Sequence, residues 1–425
     1  MFIRLCSIIL LLNYNLIGQN LGNVTVFNTE NSGISYNQVN CIELDEQGHI
    51  WIGTPNGLSI FNETENSWIN PLIESQSSLT NIISSLEFHD YSESYPGMFL
   101  GTNQGIIYGS WESEFIGSIG EGISWYLEYG STCSPNSGII KSILYHKDSN
   151  QLWVGSTDGL CIEGLVEEDD WILQNTNTGF YSNNITSIQI NDNSDMIGIG
   201  SMNGGLTTYN DAFNFYYSSN SDILDNTVFD LAFDQNNNII ICTPQAGLGV
   251  LTENGSWIWF NTINSSLPTN SLKNIVIDNN NDFWITTLEN GIIHYTNNTF
   301  YNYTTENSSL PDNKINCLRL DDNNNLWLGG DTAGLIKVIP QSNNTAEFNI
   351  KETNIHPTIF KNNITINCSE KTKIKIVNSN CQTISFYELN TGNHIINTSA
   401  YPNGIYFITC QTPHGKNTHK LFKPF

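Results

Sequence analysis

The chain has 425 residues, enough for two or three domains or for one large repeat array with an appendage. Only 13% of the residues are charged, while Asn, Ser, Thr, Gly and aromatic residues abound, a balance that suits many short strands joined by polar turns and argues against long helices. The net charge of −26 is unevenly split: from Lys351 onward eight Lys face three acids, leaving 7 basic and 38 acidic residues upstream, an excess of acid that disfavours nucleic acid as a partner.

In chain order, residues 1–19 come first. Arg4 precedes an apolar run from Leu5 to Leu12, and Gly18 stands before polar sequence, the pattern of a secretory signal peptide. Asn13 and Asn15 interrupt the run before it reaches the roughly 20 apolar residues of a membrane span. Eight cysteines follow the leader, with no CxxC or other metal-ligand spacing among them. Cys41 and Cys317 occupy the same place in two related segments, VNCIELD and INCLRLD, as small buried residues of equivalent strands would.

A self-similar unit then runs to about residue 340. Its clearest copies include LDEQGHIWIGTPNGLSIF, KDSNQLWVGSTDGLCI, FDQNNNIIICTPQAGLGVL and LDDNNNLWLGGDTAGLIKV. With Trp51, Phe99, Trp153, Gly198, Ile240, Trp284 and Trp327 as equivalent points, the spacings are 48, 54, 45, 42, 44 and 43 residues. Seven copies at that period predict the blades of a β-propeller, four strands each, over residues 20–345. A Gly follows the second strand of every copy (Gly57, Gly105, Gly159, Gly205, Gly247, Gly291, Gly334), a place for a tight backbone position. Linkers such as WFNTINSSLPTN and NYTTENSSLPDN separate copies, and VFNTENSGISYN opens the mature chain, so the N-terminal strand is expected to complete the last blade. The Asn closing each linker (Asn37, Asn81, Asn183, Asn226, Asn270, Asn313) suits loop capping.

The pattern NxVxCIxLDxxGxIWIGTxxGLxxF with an NSSLPxN linker resembles the two-component regulator propeller repeat family over most of residues 23–340. In that family the repeats are best known from periplasmic sensor regions of hybrid histidine kinases; here no kinase segment follows.

From about residue 346 the period breaks. NITIN at 363, KIKIV at 373, TISFYEL at 383 and GIYFITC at 404 predict a small Ig-like β-sandwich over residues 346–425. Pro357, the stretch ELNTGNHII with Gly392, the segment Pro402, Asn403, Gly404 and Tyr406, and the terminal HKLFKPF with Lys420 and Lys423 resemble a type IX secretion system type A sorting domain. The resemblance implies export across the outer membrane of a Bacteroidetes-type cell, the secretion machinery as a partner, and a secreted or surface-attached protein.

No HExxH, Walker loop, GxSxG elbow or His-rich cluster occurs, so no catalytic residue, metal or cofactor is assigned. DNNNDFWITTLE sets Asp278, Asn280, Asp282 and Glu289 at EF-hand-like positions, but Phe283 stands near the place where that loop turns on Gly, and strands flank it. The longest interval between copies holds Trp111, Phe115, Trp125, Tyr126 and Tyr129 among few charges. Such aromatics stack on sugars or peptides when exposed, and otherwise pack the junction of the second and third blades. The composite expectation is a monomeric binding protein for a glycan, peptide or matrix component. The alternatives are a hydrolase or lyase at the propeller channel, and an extracellular partner of a two-component sensor.

Overall fold

The computed structural model describes residues 20–71, 73, 82–89, 96–103, 105–111, 123–128, 139–163, 171–191, 193–340, 354–356, 361–368, 371–378, 383–412 and 415–423. The chain divides into two compact units, Met1–Gln341 and Ser342–Phe425.

The first unit holds, among the described residues, seven four-stranded antiparallel sheets. Their innermost strands are Cys41–Leu44, Ile83–His89, Ile140–His146, Ile185–Asn191, Asp230–Phe233, Leu272–Ile277 and Ile315–Leu320, and we number sheets 1 to 7 by them. Each innermost strand lies against the next, and that of sheet 7 returns to that of sheet 1, closing a propeller ring. Sheet 7 takes its fourth strand from the N-terminus: Asn23–Phe27 pairs antiparallel with Leu335–Ile339, so Leu335–Ile339 is covered and the first and last segments of the propeller are tied into one sheet.

The sheets form because one hairpin is repeated. In sheet 7 Asp321 accepts the backbone N–H of Asn323 and Asn325 on Oδ1, and Asn324 takes the left-handed conformation that closes the turn. Asp234 with Asn237, and Asp45 with Gly48, build the same turn. The repeated Gly after the second strand has positive φ in all seven sheets. A Cβ on Gly334 would lie 2.1 Å from the carbonyl oxygen of Phe27, and one on Gly291 equally close to that of Tyr303, so the N-terminal strand meets its sheet as an ordinary fourth strand does.

No sheet can bury both faces alone, and each interface of the ring has its own apolar cluster. Trp327 and Leu335 of sheet 7 pack with Ile42, Ile52 and Phe61 of sheet 1, and Trp51 of sheet 1 packs with Met98 and Leu100 of sheet 2. Trp51, Trp153 and Trp327 are fully buried, each contributing on the order of 2–3 kcal/mol of apolar transfer.

The second unit has two sheets. Asn354–His356, Asn363–Cys368 and Gly392–Asn397 form one; Thr383–Leu389, Thr372–Asn378, Gly404–Thr412 and Gly415–Lys423 form the other. Alternate residues turn inward, so Ile364, Ile366, Ile374, Ile376, Ile408 and Leu421 meet in a common core.

Candidate functional site

The seven innermost strands enclose a cavity of about 1130 Å³. Aligned on their pairing with the second strands, they place equivalent residues in tiers. One rim carries Asn40, Ser84, Lys141, Thr186, Lys273 and Asn316; Glu43, Glu87 and Arg319 lie in a middle tier; Asp234 and Asp278 mark the other rim. The propeller segment, residues 23–340, has six cationic side chains in all, and three of them (Lys141, Lys273, Arg319) stand on this wall.

Much of the wall ties neighbouring sheets together. Asn40 Nδ2 donates to the Ile83 carbonyl at 2.9 Å, Ser84 Oγ to Ile140 O at 2.6 Å and Thr186 Oγ1 to Val228 O at 2.5 Å. The Ile188 N–H donates to Ser142 Oγ at 3.0 Å, and the Ile275 N–H to Asp230 Oδ2 at 3.0 Å. Lys273 Nζ donates to Asn316 Oδ1 at 3.0 Å, and Arg319 Nε to Glu43 Oε2 at 3.2 Å, so all seven interfaces are bridged by polar bonds.

Burial sets the electrostatics. It raises the Glu87 pKa to about 8, with the Glu43 charge adding to the effect and the N–H of Tyr145, donated at 3.0 Å, opposing it. Glu87 is therefore largely protonated at neutral pH. Asp230 is raised by burial although Ser187 Oγ and two backbone N–H groups donate to it. Burial lowers Lys273, and the Lys314 and Lys141 charges push the same way. Cys41 and Cys317 are free and their thiols are raised by burial, Cys317 to about 12, so both stay un-ionised as small apolar groups.

The ring brings Glu43 and Glu87, carboxyl groups of neighbouring innermost strands, together in one tier. The signal was present in the strands CIEL, ISSLEFH, IKSILYH, LKNIVI and INCLRL, where charged residues interrupt small and apolar ones.

The aromatic candidates are placed differently. Trp111 stacks on Trp51, with centroids 5.0 Å apart, and both Trp111 and Trp125 are half-buried against the cluster shared by sheets 1 and 2. They pack the first interface of that sheet, not the junction with sheet 3. Tyr126 lies in strand Ser124–Glu128, opposite Tyr108; Phe115 and Tyr129 lie outside the described residues. The linker asparagines cap loops: Asn37, Asn183, Asn226, Asn270 and Asn313 each accept a backbone N–H from the start of their own linker at 2.8–2.9 Å. Asn81 lies outside the described residues.

In the second unit Lys423 is buried, its Nζ donating to the carbonyls of Thr398, Ser399 and Tyr401 at 2.7–3.0 Å. Tyr406 donates its hydroxyl to the Pro402 carbonyl, and Gly392 and Gly404 have positive φ. Asn403 sits in the turn before Gly404 and Lys420 in the last strand, while Pro357 lies outside the described residues.

Comparison with known proteins agrees with this division. Residues 354–423 match the secretion system C-terminal sorting domain, and residues 33–56 and 309–332 match the two component regulator propeller. No curated protein matches the chain. Among solved structures it is similar to one assigned as the extracellular domain of the hybrid two component system BT3049 from B. thetaiotaomicron, with 15% identity, a TM-score of 0.62 and coverage of 95% of this chain and 58% of that one. It is also similar to PorZ, an essential bacterial surface component of the type-IX secretion system of Porphyromonas gingivalis, with 14% identity, a TM-score of 0.56 and coverage of 93% and 60%. The WD40 β-propeller domain of Doa1 matches at 12% identity and a TM-score of 0.50, over 72% of this chain and 93% of that one. At such identities the likeness shows the fold, and the chain spans less than two thirds of the first two relatives.

The chain thus carries two-component regulator propeller repeats and a type IX secretion sorting domain, which marks it for secretion and attachment at the cell surface. Among the described residues no helix is long and apolar enough to cross a membrane.

Proposed function

We propose that this exported propeller, built of two-component regulator repeats, is a recognition module that takes an acidic glycan or a carboxylate-bearing peptide at the lysine rim of its channel. The observation that carries the reading is the placement of charge. A strongly acidic unit puts half of its six cations on one channel wall, two of them, Lys141 and Lys273, in the rim tier. Lys141 is exposed there, whereas Arg319 in the middle tier is already engaged by Glu43. A ligand anion at that rim would relieve the repulsion between the two lysines, and Asn40 Oδ1 and Ser84 Oγ, whose donor groups tie neighbouring sheets, keep lone pairs that can accept from a sugar or peptide. The acidic remainder of the surface would turn away polyanions, so the fitting ligand carries few charges and many hydroxyl or amide groups.

The test is an array of acidic and neutral oligosaccharides and of peptides, probed with the intact protein and with Lys141→Ala. Selective capture of uronate-type sugars or of peptides with free carboxylates, weakened at least tenfold in the variant, supports the reading. Equal capture by both proteins removes the channel rim from consideration.

A second reading rests on Glu87 and Glu43. A carboxyl group whose pKa burial raises to about 8, beside a second one that accepts from Arg319 Nε at 3.2 Å, is the kind of pair on which a glycosidase or lyase divides its labour. Turnover of any captured sugar, lost in Glu87→Gln, would favour it.

A further inference from the structure

In sheets 1, 5 and 7 the aspartate that opens the inner turn has both oxygens satisfied by its own hairpin. Oδ1 accepts backbone N–H groups, and Oδ2 accepts a side-chain donor four residues on: His49 Nδ1, Asn238 Nδ2 and Asn325 Nδ2, each at 2.8 Å. Sheet 6 keeps the turn. Asp278 Oδ1 accepts the N–H of Asn280 at 2.8 Å and of Asp282 at 3.0 Å, and Asn281 has the left-handed conformation of Asn237 and Asn324.

The donor, however, is replaced by Asp282, a second carboxylate with nothing to give. Across the sheet, paired with Trp284, stands His294. It is nine-tenths buried, and its ring lies flat on the Trp284 indole, with centroids 3.9 Å apart and planes 4° from parallel. Its Nε2 is buried without a hydrogen-bond partner, 3.5 Å from Asp282 Oδ2, too far for a good bond. Two carboxylates and an unpartnered imidazole nitrogen therefore converge, one donor atom from each lying within 4.8 Å of the others.

We propose that Asp278, Asp282 and His294 form a binding site for a divalent transition-metal ion, zinc or manganese by their donor chemistry, at the channel rim opposite the lysines. A cation with bonds of about 2.1 Å holds its ligand atoms up to about 4.2 Å apart, so a small closure of the three groups suffices. One imidazole with two carboxylates suits zinc or manganese, whereas calcium prefers six to eight oxygen ligands. A metal would satisfy in one step the missing donor, the second carboxylate and the stranded nitrogen. Because Asp278 also lines the cavity, the ion would stand at its edge. The site is independent of the ligand reading above, and either can fail alone.

The test uses the whole exported protein, stripped with a chelator and titrated with zinc and, separately, manganese, following heat of binding and Tm. The same titration is run on Asp282→Asn, which installs the residue found in sheets 5 and 7 and so keeps the hairpin. The expected result is one site per chain, a rise of several degrees in Tm, and a loss of at least tenfold in affinity in Asp282→Asn and in His294→Gln. The chelated Asp282→Asn protein should melt at or above the chelated wild type, since the turn regains its donor. No binding of either metal by the wild type, or equal binding by Asp282→Asn, would overturn the proposal.

Discussion

The hairpins and the channel wall of the propeller are made by the same seven copies, yet they keep the repeat differently. At the hairpin, a position is filled alike in every copy because backbone geometry requires it; Gly334 and Gly291 each face a carbonyl oxygen that leaves no room for a side chain. On the wall, equivalent positions hold Ser84, Lys141, Thr186 and Lys273, or Glu43, Glu87 and Arg319. Where the copies agree, the residue builds the sheet. Where they differ, it is free to carry chemistry.

The largest effect should come from breaking the first class. Gly334→Val sets a branched side chain where φ is +89° and the Phe27 carbonyl is 2.1 Å from the Cβ. It should cost several kcal/mol and detach the N-terminal strand, read as a drop of the urea midpoint and new proteolysis near residue 27. Trp125→Ala comes next. Because Trp125 is half-buried against the cluster of sheets 1 and 2, the substitution should lower stability by about 2 kcal/mol, visible in Tm with or without a ligand present. An unchanged Tm would return Trp125 to the surface and to ligand stacking.

A smaller effect sharpens the second class. Glu87 titrates near 8 in the folded chain against 4.5 as a free group, so the folded state holds the extra proton between those values. Its contribution to stability is fully present below about pH 4.5, declines as pH rises, and is gone above about 8. Glu87→Gln removes the titration, so the Tm of the variant minus that of the wild type should grow from pH 5 to pH 8. A constant difference would show that Glu87 is ionised throughout. The two-carboxylate turn of sheet 6 offers a parallel contrast with the Asp–Asn turns of sheets 5 and 7.

How much was legible in the sequence follows the same division. The period, the turn residues Asp321 to Asn325 and the repeated Gly announce an all-β propeller, because each residue acts through local backbone chemistry. The strands expected at 363, 373, 383 and 404 are present in the second unit for the same reason, through simple alternation. The channel was not legible. Lys141 and Lys273 are 132 residues apart in sequence, and only ring closure brings them to one rim. The Asp278, Asp282 and His294 cluster was half visible: the acids were noticed in an EF-hand-like frame with Glu289, but His294 joins them across a strand pairing that no local spacing reveals. For Trp111 and Trp125 the sequence left ligand stacking and packing between sheets both open, and the cluster of sheets 1 and 2 that half-covers them comes into view only once the neighbouring sheet is in place.

The central claim, that the lysine rim of the channel recognises an anionic group on a polar ligand, is tested most directly by charge reversal. Binding of the best acidic ligand from the array would be measured for the wild type and Lys141→Glu at low and at physiological salt. Lys141 is exposed, and among the described residues no hydrogen bond or ion pair ties its side chain to the sheets, so the variant should keep the wild-type Tm, lose at least tenfold in affinity, and show a weaker salt dependence. Unchanged affinity and unchanged salt dependence in Lys141→Glu would contradict the account.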